Sequence, residues 1–192
     1  MLEELIRHSR SYRRFDGTVP VTIKTLEELI ALARLSPSAA NAQPLRFFLS
    51  ADPAGNARIF PHTAWAGYLE DWPGPAEGER PTAWILILGD REVRKDFGCD
   101  HGIAAQSILL GAVERGLGGC IFSSLNRPAL ASELEIGDRY EILLALALGR
   151  PVEQVVLEET VPGGDIRYWR DEQGVHHVPK RPLEELILGR LG

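Results

Sequence analysis

Apolar residues recur at helical spacing in several parts of the chain. The clearest case follows Thr22, which can cap a helix whose apolar stripe is Ile23, Leu26, Leu29, Ile30 and Ala33. This helix should end at Ser36-Pro37, because the residue before a proline is disfavoured in the α region. Further helices are predicted over Leu2–His8, Gly98–Arg115, Pro128–Leu134 and the amphipathic stretch Leu183–Leu191. In the second of these, the side chains expected to face inward are Ile103, Gln106, Ile108, Leu109 and Ala112.

Short continuous apolar runs predict strands. They cover Leu45–Ser50, Trp84–Leu88, Cys120–Phe122 and Glu141–Leu148. Residues Pro53–Pro81 are predicted to be irregular, and Val161–Pro182 has little core pattern of its own. Helices mixed with a few short strands predict an α+β (mixed α/β) fold, and the lack of repeats predicts one domain over residues 1–192.

Composition and charge exclude several classes of protein. The 192 residues are 44% hydrophobic, and 21 basic against 27 acidic residues give a net charge of −6, which does not favour nucleic-acid binding. No apolar run approaches the roughly 20 residues of a membrane span. The acidic start Met1–Glu4 is unlike a secretory signal, and two cysteines, Cys99 and Cys120, suit a reducing compartment, so a cytoplasmic protein is predicted. Their spacing does not fit a zinc site.

Arginines are concentrated near the start, with four of them within residues 7–14. The guanidinium fork matches phosphate oxygens, and a serine hydroxyl between two arginines adds a donor. The segment is therefore interpreted as a phosphate clamp, with a solvated basic helix face as the alternative.

A second cluster, Ser36–Pro44, places small residues and two amides between prolines. Side-chain amides can read the alternating N–H and C=O edge of a planar ring. The alternative is a helix-to-strand turn whose polar side chains satisfy the local backbone.

A third cluster, Gly116–Ser124, is rich in glycine but fits neither the dinucleotide fingerprint nor the phosphate-binding P-loop. Gly116 is interpreted as a helix C-cap. Ser123-Ser124, after a predicted strand, could direct backbone N–H groups at a ligand. His176-His177 would point to opposite faces of an extended chain, so no metal site is predicted, and no side chain is assigned as catalytic.

In this order the clusters resemble the FMN-dependent nitroreductase family. The matching motifs are Arg10-Ser11-Tyr12-Arg13-Arg14-Phe15, Pro37-Ser38-Ala39-Ala40-Asn41-Ala42-Gln43-Pro44, Asp100 with Ala105-Gln106 and Gly116-Leu117-Gly118, Gly149-Arg150-Pro151, and Lys180-Arg181-Pro182-Leu183-Glu184-Glu185. The likeness extends over nearly the whole chain.

The resemblance implies a small central, mainly antiparallel sheet flanked by helices, with a C-terminal arm that embraces the partner subunit. It also implies a homodimer holding two FMN molecules at the subunit interface. One subunit would supply Arg10 and Ser11 to the phosphate and Arg13 to the N1–C2 carbonyl edge. The other would supply Pro37, Ser38, Ala39, Asn41 and Gln43. Backbone N–H groups of Ser123 and Ser124 would approach N5, and Lys180, with Arg181, would reach the phosphate.

The sequence departs from the family pattern in two places. Ser9 stands where the family often has arginine, and Lys180 replaces a commoner arginine. The segment Leu49–Trp84, which shapes the substrate entrance in the family, carries no match. Its aromatic side chains either cover the flavin face or pack down a loop; they are His62, Trp65, Tyr68 and Trp72.

The activity that the resemblance implies is ping-pong hydride transfer from NAD(P)H through flavin N5 to a small acceptor such as a nitroaromatic or quinone. Two alternatives remain open. One is other chemistry of the superfamily, dehalogenation or flavin fragmentation; the other is a non-catalytic flavin carrier or sensor.

Overall fold

The four predicted apolar runs form one antiparallel sheet. The strands are β1 (Leu45–Ser50), β2 (Ala83–Asp90), β3 (Gly118–Phe122) and β4 (Tyr140–Gly149), in the order β1-β2-β4-β3. Every residue of β2 is buried, as is most of β4. Strands buried on both faces read as continuous apolar runs, which explains why the sequence shows them so clearly.

In the computed structural model, which describes residues 1–192, this sheet belongs to a compact unit made of Met1–Trp65 and Gly74–Val152. The unit contains five α-helices: α1 (Leu2–His8), α2 (Ile23–Arg34), α3 (Pro53–Ile59), α4 (Asp100–Glu114) and α5 (Arg127–Glu133).

Alternate residues of β2 serve two apolar layers, because successive side chains of a strand point to opposite faces. Ile85 and Ile87 belong to the layer that also contains buried residues of α2 and α4. Trp84 and Leu86 belong to the other layer, with Ile59 of α3 and other buried side chains. The result is the mixed α+β fold with a central antiparallel sheet that the sequence predicts.

A second compact unit contains Ala66–Pro73 and Glu153–Gly192. Its sheet has the order β5-β7-β6, with β5 (Val155–Glu159) parallel to β7 (His176–Lys180) and β6 (Trp169–Arg170) antiparallel to it. A short helix, α6 (Leu183–Leu186), follows. The single-domain organisation stays a prediction.

Three expectations from the sequence are wrong in detail. Residues 53–59 are helical, not irregular, because the Asp52 carboxylate accepts the Gly55 N–H and Pro53 occupies the first turn. The last predicted helix ends at Leu186 instead of Leu191. Gln106, expected on the inner face of α4, is exposed. No helix has both the length and the apolar character needed to cross a bilayer.

Candidate functional site

The arginine segment lies beside the start of β3. Ser11 forms a parallel bridge with Gly119, and the Tyr12 N–H donates to the Gly119 carbonyl over 3.0 Å. A Cβ on Gly118 would lie 2.4 Å from the Tyr12 ring, so only glycine permits this approach. The glycine-rich cluster thus serves close packing. Gly116 has a φ of +71° after the end of α4, which confirms it as the helix C-cap.

Two arginines of this segment are partly or largely withdrawn from water. Arg13 is 9% exposed and donates from Nη1 to the Ser11 carbonyl over 3.1 Å. Arg10 donates from Nη2 to the Ile6 carbonyl over 2.7 Å, but its buried Nε has no partner and no carboxylate pairs with it. Burial lowers the pKa of the Arg10 guanidinium. A partly desolvated cation without a carboxylate partner is a candidate for binding an anion.

Ser123 and Ser124 directly follow β3 and are exposed. The Ser124 carbonyl accepts the Ala64 N–H over 3.1 Å, which fixes the path of the chain after the strand. Since Ser11 lies opposite Gly119, Ser123 stands up to about 13 Å further along the chain, four residues at the strand rise, just past the end of β3.

The loop between α2 and β1 is fixed by a carboxylate from another helix. Asp100, the first residue of α4 and only 4% exposed, accepts the Ser38 hydroxyl over 2.6 Å and the Ala39 N–H over 3.1 Å. The Ser38 hydroxyl accepts the Gln43 N–H in turn, over 3.0 Å. We call these four residues the Asp100 latch. Ser38, predicted as a cofactor contact, already donates its proton within the latch.

The latch holds a strained backbone. Ala40, Asn41 and Gln43 have φ values of 54°, 52° and 50°, a left-handed region that non-glycine residues enter at a cost of about 1–2 kcal/mol each. The Gln43 side-chain N–H groups donate to the Asn41 carbonyl and to its side-chain oxygen. Strained residues that the surroundings hold in place are typical of binding loops.

A groove of about 470 Å³ opens beside this loop. Its walls come from α2, the loop, β1 and the start of α4, and the lining includes the predicted residues Pro37, Ser38 and Gln43. Arg10, Ser11 and Arg13 are not part of the lining. The predicted residues of the first unit therefore form two groups: one along β3 and one in the latched loop, which includes Ala39 and Asn41.

The last two predicted residues belong to the second unit. Lys180 ends β7 and is exposed, and its carbonyl accepts the Thr160 N–H over 2.9 Å. Arg181 donates to the Glu185 carboxylate over 3.1 Å within the same segment.

The contacts of Asp100 with the loop were not predicted from the sequence. The only signal for its role was its place in the family motif, because its partners Ser38 and Ala39 stand 62 and 61 positions away. Arg94 was not predicted either; it donates to the Ala39 carbonyl over 3.1 Å and adds a further hydrogen bond to the loop.

The aromatic residues of the segment Leu49–Trp84 belong to different units. Trp65 packs edge-on against Phe122 and Trp84 in the first unit, with ring centroids 4.6 and 6.4 Å away. In the second unit, Tyr68 packs against Tyr168, and Trp72 lies under the Arg170 guanidinium. No group of three or more metal-binding side chains is assembled anywhere in residues 1–192.

The protein therefore has an α+β fold, two partly or largely buried arginines beside β3, and a strained loop between α2 and β1 that Asp100 holds in place. The model of the nitroreductase family matches residues 6–150. The chain belongs to the nitroreductase family, and so to a family of oxidoreductases.

Individual relatives agree with this assignment. YdgI of Bacillus subtilis (strain 168), whose name includes NAD(P)H nitroreductase, is 33% identical over 201 residues, which cover 87% of this chain and 96% of YdgI. A nitroreductase family protein from Streptococcus pneumoniae TIGR4 superposes with a TM-score of 0.74 at 16% identity, covering 99% of this chain and all of that one.

A further solved structure, from Exiguobacterium sibiricum 255-15, contains FMN. It superposes with a TM-score of 0.66 at 18% identity, covering 80% of this chain and 89% of that one. At sequence identities of 16% and 18%, the likeness to these two structures shows the shared fold and no more.

Proposed function

We propose that this protein is an FMN-dependent oxidoreductase that takes hydride from NAD(P)H and passes it to a small acceptor such as a nitroaromatic or quinone. Membership of the family, the FMN complex of one structural neighbour and the name of YdgI support this proposal. The observation that carries it is the partly buried guanidinium of Arg10, which has no carboxylate partner and whose Nε has no acceptor in the protein.

Arg10 and Ser11 would hold the phosphate. The Arg10 guanidinium is half-buried and has no carboxylate partner, and the neighbouring Ser11 is exposed, so the cation and the hydroxyl can both attract an anion. Because the backbone bridge to Gly119 fixes their position, binding a phosphate requires little ordering of the protein.

Arg13, Ser123 and Ser124 would meet the ring system. Arg13 is held by the Ser11 carbonyl and supplies a fixed positive charge. The roughly 13 Å of chain between Gly119 and Ser123 leaves room for an elongated ligand that has its anionic end at Arg10.

The latched loop would border the ring from the other subunit of a homodimer. Arg10, Ser11 and Arg13 are not part of the groove lining, which agrees with the two groups coming from different subunits. In the loop that the latch holds, Pro37, Ala39, Asn41 and Gln43 are exposed and keep surface for contacts. Ser38 would act mainly by holding the loop.

Lys180 is proposed as a further phosphate contact, and the C-terminal segment as an arm on the partner. Lys180 is exposed. Arg181 would have to leave Glu185 to contribute.

FMN when bound supplies the hydride-accepting and hydride-donating ring, and the chain supplies position and charge. The Arg13 cation would stabilise negative charge that develops near it, in surroundings where burial strengthens electrostatic interactions. The strained loop, kept rigid by Asp100, would fix one wall of the space into which NAD(P)H and then the acceptor enter. No side chain is assigned as a proton donor.

The test is binding of FMN, followed by anaerobic addition of NADH or NADPH. We expect purified protein to bind FMN with loss of its fluorescence, and the visible flavin absorbance to bleach with a nicotinamide and return with a quinone. Arg10→Ala should weaken FMN binding by about 10- to 100-fold, the effect of losing charge-assisted hydrogen bonds.

Arg7→Ala is the matched control, because Arg7 is exposed and pairs with Glu3. If Arg10→Ala and Arg7→Ala bind FMN equally well, the assignment of Arg10 as a phosphate-binding residue is contradicted. Bound flavin that neither NADH nor NADPH reduces would contradict the proposed enzyme activity and favour a flavin carrier or sensor. A monomer in analytical ultracentrifugation would contradict a cofactor site shared between two subunits.

A further inference from the structure

Two arginines bind carbonyl oxygens of the loop between α2 and β1. Arg46, the second residue of β1, donates from Nη1 to the Gln43 carbonyl over 3.1 Å and to the Leu45 carbonyl over 2.8 Å. Arg94 donates to the Ala39 carbonyl over 3.1 Å. A charged donor forms a stronger hydrogen bond than a neutral one does, so these contacts oppose opening of the loop.

The arginines hold the same two loop residues as the Asp100 latch, but from the other peptide group. The latch binds the Ala39 N–H to Asp100 and the Gln43 N–H to the Ser38 hydroxyl. The arginines bind the carbonyls of Ala39 and Gln43. Because the N–H belongs to the peptide plane before a residue and the C=O to the plane after it, holding both restricts φ and ψ. The positive φ of Gln43 is thus fixed from both sides.

A buried carboxylate at the end of β2 anchors Arg46. Asp90, the last residue of β2, has no exposed surface, and its carboxylate lies 3.2 Å from Arg46 Nη2. The Asp90 N–H donates to the Pro44 carbonyl over 2.8 Å, and its carbonyl accepts the Arg94 N–H over 3.1 Å. Since every residue of β2 is buried, the loop is tied to a fully packed strand of the sheet.

A second arginine binds Asp90 without reaching the loop. Arg139, just before β4, donates to the two Asp90 carboxylate oxygens over 2.9 and 2.7 Å and also pairs with Glu92. These hydrogen bonds lower the pKa of Asp90, so the carboxylate stays charged near neutral pH. None of the hydrogen bonds or ion pairs of Arg139 involves residues 38–44. The two arginines therefore share an anchor and differ in their contact with the loop.

We propose that Arg46, anchored by Asp90, is a positioning residue of the cofactor site. It acts through Gln43, whose side chain donates to the backbone and side-chain oxygens of Asn41, so the conformation of both exposed residues depends on it. The consequence for FMN rests on the proposed function, whereas the ordering of the loop by Arg46 does not.

The test compares Arg46→Gln with Arg139→Gln. In Arg46→Gln we expect FMN to bind about tenfold more weakly by fluorescence titration, and the Gln43 amide to exchange about tenfold faster by NMR, the effect of losing charge-assisted hydrogen bonds. In Arg139→Gln both should be unchanged, while the urea midpoint should fall further than in Arg46→Gln, because Arg139 makes the shorter contacts with buried Asp90. Arg46→Lys keeps a charged donor and should recover part of the FMN affinity.

Arg91→Gln is the control if Arg139→Gln does not fold. Arg91 is exposed, directly follows β2 and binds Glu141 and the Asp138 carbonyl instead of the loop. FMN affinity or Gln43 exchange that Arg46→Gln leaves unchanged would overturn the proposal, as would an equal loss of FMN affinity in the control. If the unaltered protein binds no FMN, the proposed function is contradicted, and the exchange of Gln43 then decides alone whether Arg46 orders the loop.

Discussion

The two units of the chain hold their sheets together by different forces. In the first, all eight residues of β2 are buried. In the second, β5 has no fully buried residue, and the central strand β7 is tied by His177, whose two ring nitrogens lie 2.5 Å from Glu158 and 3.2 Å from Asp171. The first sheet depends mainly on apolar burial. Its one buried carboxylate, Asp90, stays ionised except at low pH, because hydrogen bonds from Arg139 lower its pKa. In the second sheet, the charged contacts of His177 make stability depend on pH near neutrality.

The largest expected effect is loss of packing in the first sheet. Leu146 is fully buried in β4, so Leu146→Ala should lower the free energy of unfolding by about 3 kcal/mol. Val178→Ala in β7 should cost about 1 kcal/mol or less, because that side chain is only partly buried. Urea denaturation measures both, and equal losses would contradict the comparison.

Within the first unit, the hydrogen bonds of Asp100 should affect FMN binding more strongly than they affect the stability of the sheet. Asp100→Asn keeps the shape of the side chain but removes the charge of the latch. We expect a loss of about 1–2 kcal/mol of stability and about tenfold weaker FMN binding, because the loop is no longer held in its strained form.

Asp96→Asn is the matched control. Asp96 is exposed and accepts the Gly98 N–H just before α4, so it has a similar local contact but no link to the loop. FMN affinity by fluorescence titration should be unchanged in this variant. If Asp100→Asn also binds FMN normally, the latch does not position the cofactor loop.

The second sheet should respond to pH. Hydrogen bonds to Asp171 and Glu158 raise the pKa of His177 above its ordinary value of 6.5, since both carboxylates favour the protonated ring. Its contribution to stability is therefore complete below pH 6.5 and is lost as pH rises through the folded pKa. The stacked Trp169 ring, 4.1 Å away, carries no charge.

Amide exchange measured against pH, corrected for the intrinsic rate, checks this expectation. Protection of β7 should fall above the folded pKa of His177, while protection of β2 stays constant. His177→Gln should remove the pH dependence in β7. A pH dependence that persists in His177→Gln would assign it to another group.

The smallest effect should come from an exposed ion pair of the first unit. Arg7 and Glu3 lie 2.8 Å apart but are 59% and 70% exposed. Arg7→Gln should change the free energy of unfolding by less than about 0.5 kcal/mol, because solvent screens exposed ion pairs. A larger loss would mean that exposed charges also stabilise the first unit.

The strands of the first unit could be predicted because burial on both faces leaves continuous apolar runs. Leu45–Ser50 has the predicted bounds, and the other three extend by one or two residues at one or both ends. The second sheet could not be predicted, because partly buried strands rich in charge, such as Val155–Glu159, resemble loops in sequence. The helix Pro53–Ile59 was missed although Asp52-Pro53 is a typical helix start.

The sequence by itself determined the family, the fold class and the two segments proposed to bind the cofactor, since these depend on local patterns and on the order of motifs along the chain. Only the tertiary structure decided that Ser38 serves the latch and that the partly buried Arg10 guanidinium has no carboxylate partner. The physical reason is that a hydrogen bond is satisfied or left open by groups distant in sequence, as Asp100 and Ser38 are.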